Sequence, residues 1–215
     1  MARIIIFASG EAPPPHLVAS CLCRGDYIIC ADGGANHARD AGVRPDLIVG
    51  DMDSITPENL SDFEGEGVAV ERLPPAKDET DLEIALRHAI SHAPLEELVV
   101  LGALGGRLDH LLANIMLFTR ADLLGVTVRF PGEVVSAWVL NAPGRVEVPG
   151  AAGDTLSLIP LTPTVEGVYA HDVIWPLAGE KLSRGGGRTV SNRMCAPVSA
   201  ITAERGSLLI TRLRP

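Results

Sequence analysis

The chain has 215 residues, 47% of them hydrophobic, and its 27 acidic and 18 basic side chains leave a formal net charge of −9. That length suits one large domain or two smaller ones, and no apolar run reaches the roughly 20 residues a membrane-spanning helix needs. Such a negative balance argues against non-specific nucleic-acid binding, which requires a basic face, but not against a phosphate ligand bridged to carboxylates by magnesium.

From the N-terminus, Arg3–Ala8 (RIIIFA) is a short apolar run that stops at Gly10 and a proline cluster. It is too short for a signal peptide and suits a first core strand. Tyr27–Cys30, Asp46–Val49, Val68–Arg72 and Glu97–Leu101 repeat the pattern: short, apolar and mostly β-branched. Helical spacing lies between or after them, at Gly34–Ala41, Asp78–Ser91 and Leu108–Leu124. In the second of these, Leu82, Ala85, Leu86 and Ala89 mark the apolar face, and the acidic first turn suits the positive end of the helix dipole. Such alternation predicts a largely parallel sheet covered by helices.

Beyond about Phe130 the texture changes. Val134–Leu140, Arg145–Val148, Thr155–Leu158, Thr189–Val190, Val198–Thr202 and Ser207–Thr211 read as short strands punctuated by Gly, Pro and Asn. An α/β domain over residues 1–131 and an all-β domain over 132–215 are expected, with Arg184–Arg188 (RGGGR) a flexible hairpin loop. Cys21, Cys23, Cys30 and Cys195 lack zinc-type Cys-x-x-Cys spacing and read as reduced thiols of a cytoplasmic protein.

In open α/β sheets, ligands bind outside the carboxyl ends of the strands. Asp32 follows YIICA there, and Asp51 and Asp53 follow LIV; read as a continuing strand, the latter pair would share one face. Asp78 and Asp81 open a helix three residues apart and would share a face as well. With Asp109, these carboxylates are expected to converge on one edge, where their mutual repulsion calls for a hard cation such as magnesium. The turns Asp32-Gly-Gly-Ala-Asn36 and Gly102–Arg107 join strands to helices, and Lys77 and Arg107 are candidate phosphate contacts. Neither a P-loop nor a spaced dinucleotide fingerprint is present. His88 and His92, one helical turn apart, lack a third ligand and read as an exposed helix face.

Taken in order, Asp32-Gly-Gly-Ala-Asn36, Gly50-Asp-Met-Asp-Ser54, Lys77-Asp-Glu-Thr-Asp-Leu82 and Gly105-Gly-Arg-Leu-Asp-His110 resemble the signature set of the thiamine pyrophosphokinase family; Trp175 and Ser191-Asn192 extend the resemblance to the C-terminal part. The resemblance implies a Rossmann-like, mostly parallel sheet with helices on both faces, a small β-sandwich, and a homodimer whose site is shared between subunits. It implies Mg2+-dependent transfer of the pyrophosphoryl group of ATP to thiamine. By motif, Asp51, Asp53, Asp78 and Asp81 would hold magnesium and act, with Asp109, in catalysis. Asp32, Gly33, Gly34, Asn36, Lys77, Thr80, Gly105, Gly106, Arg107 and His110 would bind ATP, and Trp175, Ser191 and Asn192 thiamine. Two rival readings stand beside this one, the first raised by an apolar strand that ends in Asp-x-Asp. A haloacid dehalogenase-like phosphatase would use Asp51 as nucleophile but leaves the other motifs unexplained; a non-catalytic magnesium–nucleotide sensor would bind without turnover.

Overall fold

The apolar runs of the N-terminal part pair as parallel strands in a computed structural model of the chain, which describes residues 2–215. Contact density divides the chain into two units, one ending at Asn114 and the other running from Ile115 to Pro215.

In the first unit β1 (Ala2–Phe7) lies between β5 (Leu95–Leu101) and β2 (Tyr27–Ala31), followed outward by β3 (Leu47–Gly50) and β4 (Ala69–Arg72), all parallel. Apart from the edge strand β4, which has no buried residue, these strands read as apolar runs buried on both faces: Ile4, Ile5, Ile6 and Phe7 are fully buried, as are Leu98 and Val99. The connections hold helices α1 (Pro15–Cys21), α2 (Gly34–Asp40), α3 (Pro57–Gly65) and α4 (Asp81–His92). Helix α1 starts inside the proline cluster, because Pro15 stands at its first turn and lacks only a hydrogen bond that position never makes. Helix α3 likewise opens with Pro57, behind Thr56, whose Oγ1 accepts the Asn59 N–H at 3.3 Å.

Helix α5 (Leu108–Leu117) carries the division between the units and stops well short of the expected Leu124; a separate 3-10 turn covers Ala121–Leu123. The Thr119 hydroxyl donates to the Met116 carbonyl at 2.8 Å, where the helix ends.

The second unit is two antiparallel sheets around one apolar core. One sheet runs β12 (Asn192–Arg193), β9 (Thr155–Pro160), β14 (Ser207–Leu213), β7 (Val135–Asn141), β6 (Thr127–Phe130). The other runs β11 (Leu177–Ser183), β10 (Thr164–His171), β13 (Val198–Ala203), β8 (Gly144–Pro149). Trp138, Leu158 and Ile210 of the first meet Val148, Val168 and Ile201 of the second in that core. Since β6 pairs with β7, this unit begins ahead of the change in texture at Phe130. Strands β10 and β11 were not expected, because their register shifts near Gly167, which has φ +63°, break the alternation. The expected strand Thr189–Val190 is instead a turn: Thr189 hooks onto β9 by donating its hydroxyl to the Leu158 carbonyl at 2.6 Å.

Candidate active site

The carboxyl ends of β1, β2, β3 and β5 open into a cleft of about 880 Å³ whose walls all come from the first unit. This is the place where strand order reverses, β1 running outward to β2 on one side and to β5 on the other.

Asp32, Asp51 and Asp53 offer carboxylate oxygens that lie within 4.8 Å of one another. Their convergence does not come from a shared strand face, as the alternation suggested. Strand β3 ends at Gly50, and the chain turns through left-handed conformations at Gly50 (φ +149°) and Met52 (φ +66°). The Asp53 N–H donates to Asp51 Oδ1 at 3.3 Å, and the Ser54 hydroxyl donates to Asp53 Oδ1 at 2.7 Å, so a turn closed by its own side chains aims both acids. A side chain at Gly50 would place its Cβ 2.8 Å from the Asp32 Cβ, so glycine is what lets the β2 and β3 ends approach.

Asp32 is buried, itself left-handed (φ +42°), and accepts the Ser54 N–H at 3.2 Å. Desolvation, with the Asp81 and Asp53 charges, pushes its carboxyl above the usual range against that hydrogen bond. Asp51 goes the other way: desolvation opposes, but the Lys77 ammonium and the Asp53 N–H outweigh it and hold the carboxyl below the usual range. Lys77 Nζ lies 3.2 Å from Asp51 Oδ2 and 3.1 Å from Asp81 Oδ1. The second contact is an ion pair only: Asp81 Oδ1 is buried and accepts no hydrogen bond.

Helix α4 begins at Asp81, capped by Thr80 Oγ1, which accepts the Glu83 N–H at 3.2 Å. Asp78 therefore lies ahead of the helix and exposed, and does not share a helix face with Asp81. The cleft takes Asp81 and Thr80 into its wall, with Gly105, Gly106, Arg107 and His110 from the β5–α5 turn. Asp109 is not part of that wall. It forms an exposed two-pronged pair with Arg107 (Nη2–Oδ2 2.6 Å, Nε–Oδ1 3.1 Å), which holds its carboxyl down at about 2.

Gly33, Gly34 and Asn36 stand behind the wall. A Cβ on Gly34 would sit 2.1 Å from the Phe7 carbonyl oxygen, so glycine lets α2 start against β1. Asn36 uses its whole amide as a brace: it donates to the Ser54 carbonyl at 2.9 Å and accepts the Thr56 N–H at 3.1 Å and the Asn59 amide at 2.9 Å. Ser9, Gly10, Glu11, Ser54, Leu111 and Asn114 line the cleft without having been singled out. The rule that ligands meet strand ends already pointed to the segment after β1.

Trp175, Ser191 and Asn192 belong to the second unit, where Trp175 and Asn192 are bonded to each other. The Trp175 N–H donates to Asn192 Oδ1 at 3.2 Å, and the Asn192 amide donates back to the Trp175 carbonyl at 2.8 Å. Ser191, with φ +63°, donates its N–H to Ser157 Oγ at 2.9 Å. The tryptophan of the core is Trp138; Trp175 is 62% exposed. His88 pairs with Glu71 at 3.0 Å and His92 stacks on Tyr27 at 3.7 Å, so the two imidazoles are engaged separately.

Residues 18–129 match the family model "Thiamin pyrophosphokinase, catalytic domain", and residues 145–208 match "Thiamin pyrophosphokinase, vitamin B1 binding domain". A thiamine pyrophosphokinase of Bacillus subtilis is 26% identical over 185 residues, covering 86% of each chain. One of Oryza sativa subsp. japonica is 27% identical over 209 residues, covering 86% of this chain and 78% of its own. Among solved structures, a thiamin pyrophosphokinase of Geobacillus thermodenitrificans superposes with TM-score 0.78 at 25% identity, over 100% of this chain and 98% of its own. The Bacillus subtilis structure, at 24% identity, shares the fold with TM-score 0.82 over 99% of both chains. These matches leave the phosphatase and sensor readings without support.

Proposed function

The chain belongs to the thiamin pyrophosphokinase family, and from that premise we propose that it transfers the pyrophosphoryl group of ATP to the hydroxyl of thiamine, releasing AMP. The observation that carries this reading is the convergence of Asp32, Asp51, Asp53 and Asp81 with the Gly105-Gly106 turn in one cleft at the strand ends.

The reaction forms a bond from the thiamine hydroxyl oxygen to the β-phosphorus, with loss of the hydroxyl proton, and breaks the bond from that phosphorus to the α–β bridging oxygen, which leaves with AMP. Such transfers depend on positioning and charge neutralisation more than on covalent chemistry. The donor set fits magnesium: clustered carboxylate oxygens, and a buried Asp81 oxygen that accepts no hydrogen bond. Asp51, Asp53 and Asp81, with Asp32 beside them, would hold the ion; Asp78, exposed ahead of α4, is left out of that set. When bound, magnesium supplies charge neutralisation at the phosphate oxygens. Lys77 and Arg107 supply cations for the phosphates, and the N–H groups of Gly105 and Gly106 suit the same role.

In this reading the parallel unit carries ATP and the antiparallel unit carries thiamine, in keeping with the separate family matches. The exposed face of Trp175 suits stacking on a cationic ring, worth ~0.5–2 kcal/mol, and the Asn192 bracket holds its backbone. The working form is a homodimer with the site shared between copies. Helix α5 supports it: Leu108, Leu112 and Met116, four residues apart, are 68%, 55% and 48% exposed. The free thiols at Cys21, Cys23, Cys30 and Cys195 suit a cytoplasmic location, and no helix among the described residues is long and apolar enough to cross a membrane.

A phosphorus NMR time course with thiamine, ATP and magnesium tests the reaction. Thiamine diphosphate should appear in step with AMP. ADP or free phosphate in place of AMP would overturn it.

A further inference from the structure

Lys77 lies on the segment between β4 and α4, yet its ammonium reaches two carboxylates that come from different elements. Asp51 Oδ2 is 3.2 Å away, on the turn after β3, and Asp81 Oδ1 is 3.1 Å away, at the start of α4. The lysine side chain is only 15% exposed, so the pairing is shielded from water on most sides. A lysine ammonium is a compact point charge with three donors on a flexible stem. Here it stands between acids that would otherwise repel one another, in the electrostatic position of a hard cation. Its contact with Asp81 is an ion pair that fills no hydrogen bond, so that buried oxygen still has a lone pair to offer a second cation.

We propose that Lys77 serves as an internal counter-cation that holds the carboxylate site while nucleotide is absent and moves onto the phosphates when a metal–nucleotide complex arrives. The inference rests on the ATP–magnesium reading above and adds an order to it: divalent metal binds well only together with nucleotide. A free divalent ion approaching Asp51 and Asp81 meets an ammonium already paired to both, and displacing it leaves that charge without a partner. A nucleotide removes the difficulty, because its phosphate oxygens offer Lys77 a new partner at the moment the carboxylates are released.

A static strut would share the same coordinates but behave differently. If Lys77 only braced the turn and the helix, its loss would loosen the carboxylates and weaken metal binding whether or not nucleotide is present.

Titrations with Mn2+, followed through the electron paramagnetic resonance signal of the free ion, separate the two. Wild type, Lys77→Met and Lys77→Arg would be compared with and without α,β-methylene-ATP, whose bridging carbon blocks transfer. Without nucleotide, Lys77→Met should bind Mn2+ roughly tenfold more tightly than wild type, since a like charge beside the ion has gone. Lys77→Arg, which keeps the charge, should stay near wild type. With Mn2+ present, Lys77→Met should bind the analogue roughly tenfold more weakly, having lost a phosphate partner. Equal or weaker Mn2+ binding by Lys77→Met without nucleotide would overturn the proposal while leaving the ATP–metal reading standing. No Mn2+ uptake by wild type even with the analogue would remove that reading and the proposal with it.

Discussion

At the scale of single residues, Asp51 is the carboxylate whose loss should matter most. It sits on a turn outside the strands, so an isosteric Asp51→Asn leaves the core untouched while removing the charge that faces Lys77 and the other acids. Turnover should fall by at least about a hundredfold, as when one preorganised electrostatic partner is removed, with near-ultraviolet circular dichroism unchanged. Near-normal turnover would remove Asp51 from the mechanism. Asp32 makes a different prediction because its carboxyl is pushed up by burial and like charge. Between the unfolded-state value of about 3.9 and the raised folded value, the folded protein keeps a proton that the unfolded chain has lost. Stability therefore falls as pH rises through that window. In the presence of a chelator, Asp32→Asn should melt higher than wild type at pH 7, and the gap should close as pH drops toward about 4. A gap that persists at low pH would mean that charge is not its cause. These residues were legible because acids at strand ends stand out against an apolar run. The roles of Asn36 and Asp109 were not, because nothing in their spacing says whether an amide braces a turn from behind or whether a carboxylate turns outward to a neighbouring arginine.

At the scale of elements, small capping differences decide which side chains reach the cleft. Reading Asp78–Ser91 as one helix put Asp78 and Asp81 on one face, but Thr80 caps the helix and moves its start to Asp81. Periodicity locates a helix body well and its first turn poorly, since the first apolar repeat here is Leu82. The same limit applies to α1 and α3, which are short and open with proline, so a composition that suggests a loop instead starts a helix. Thr80→Ala should destabilise the protein by about 1 kcal/mol through the lost cap. It should also raise the KM for ATP, because the end it frays carries Asp81 into the cleft. Thr80→Ser should restore both, as urea unfolding and steady-state kinetics would show. Restoration of stability without restoration of KM would point instead to a direct contact between the threonine methyl group and the nucleotide.

At the scale of the whole molecule, the parallel unit was legible almost strand for strand because buried parallel strands are unbroken apolar runs. The antiparallel unit was less so, since β10 and β11 carry polar residues and a register shift that hide their alternation. The proposed dimer rests on α5. Its sequence, LDHLLANIML, is apolar enough for a core helix, yet none of its residues is buried in the single chain. Exposed contiguous apolar surface of this kind marks an association site, and a second copy of the chain offers the same stripe in a self-complementary arrangement. Leu112→Glu places a charge in the middle of the stripe, where burial without a partner is unfavourable. If the proposed dimer forms through this stripe, sedimentation equilibrium should show wild type as a dimer and the variant as a monomer, with little change in the fold of either unit. Because His110, Leu111 and Asn114 on the same helix line the cleft, the monomer should also lose activity. Raising the protein concentration should restore that activity in proportion to the dimer recovered. A Leu112→Glu monomer with full activity would show that the cleft is complete within one chain, and a Leu112→Glu dimer would place the interface on another face.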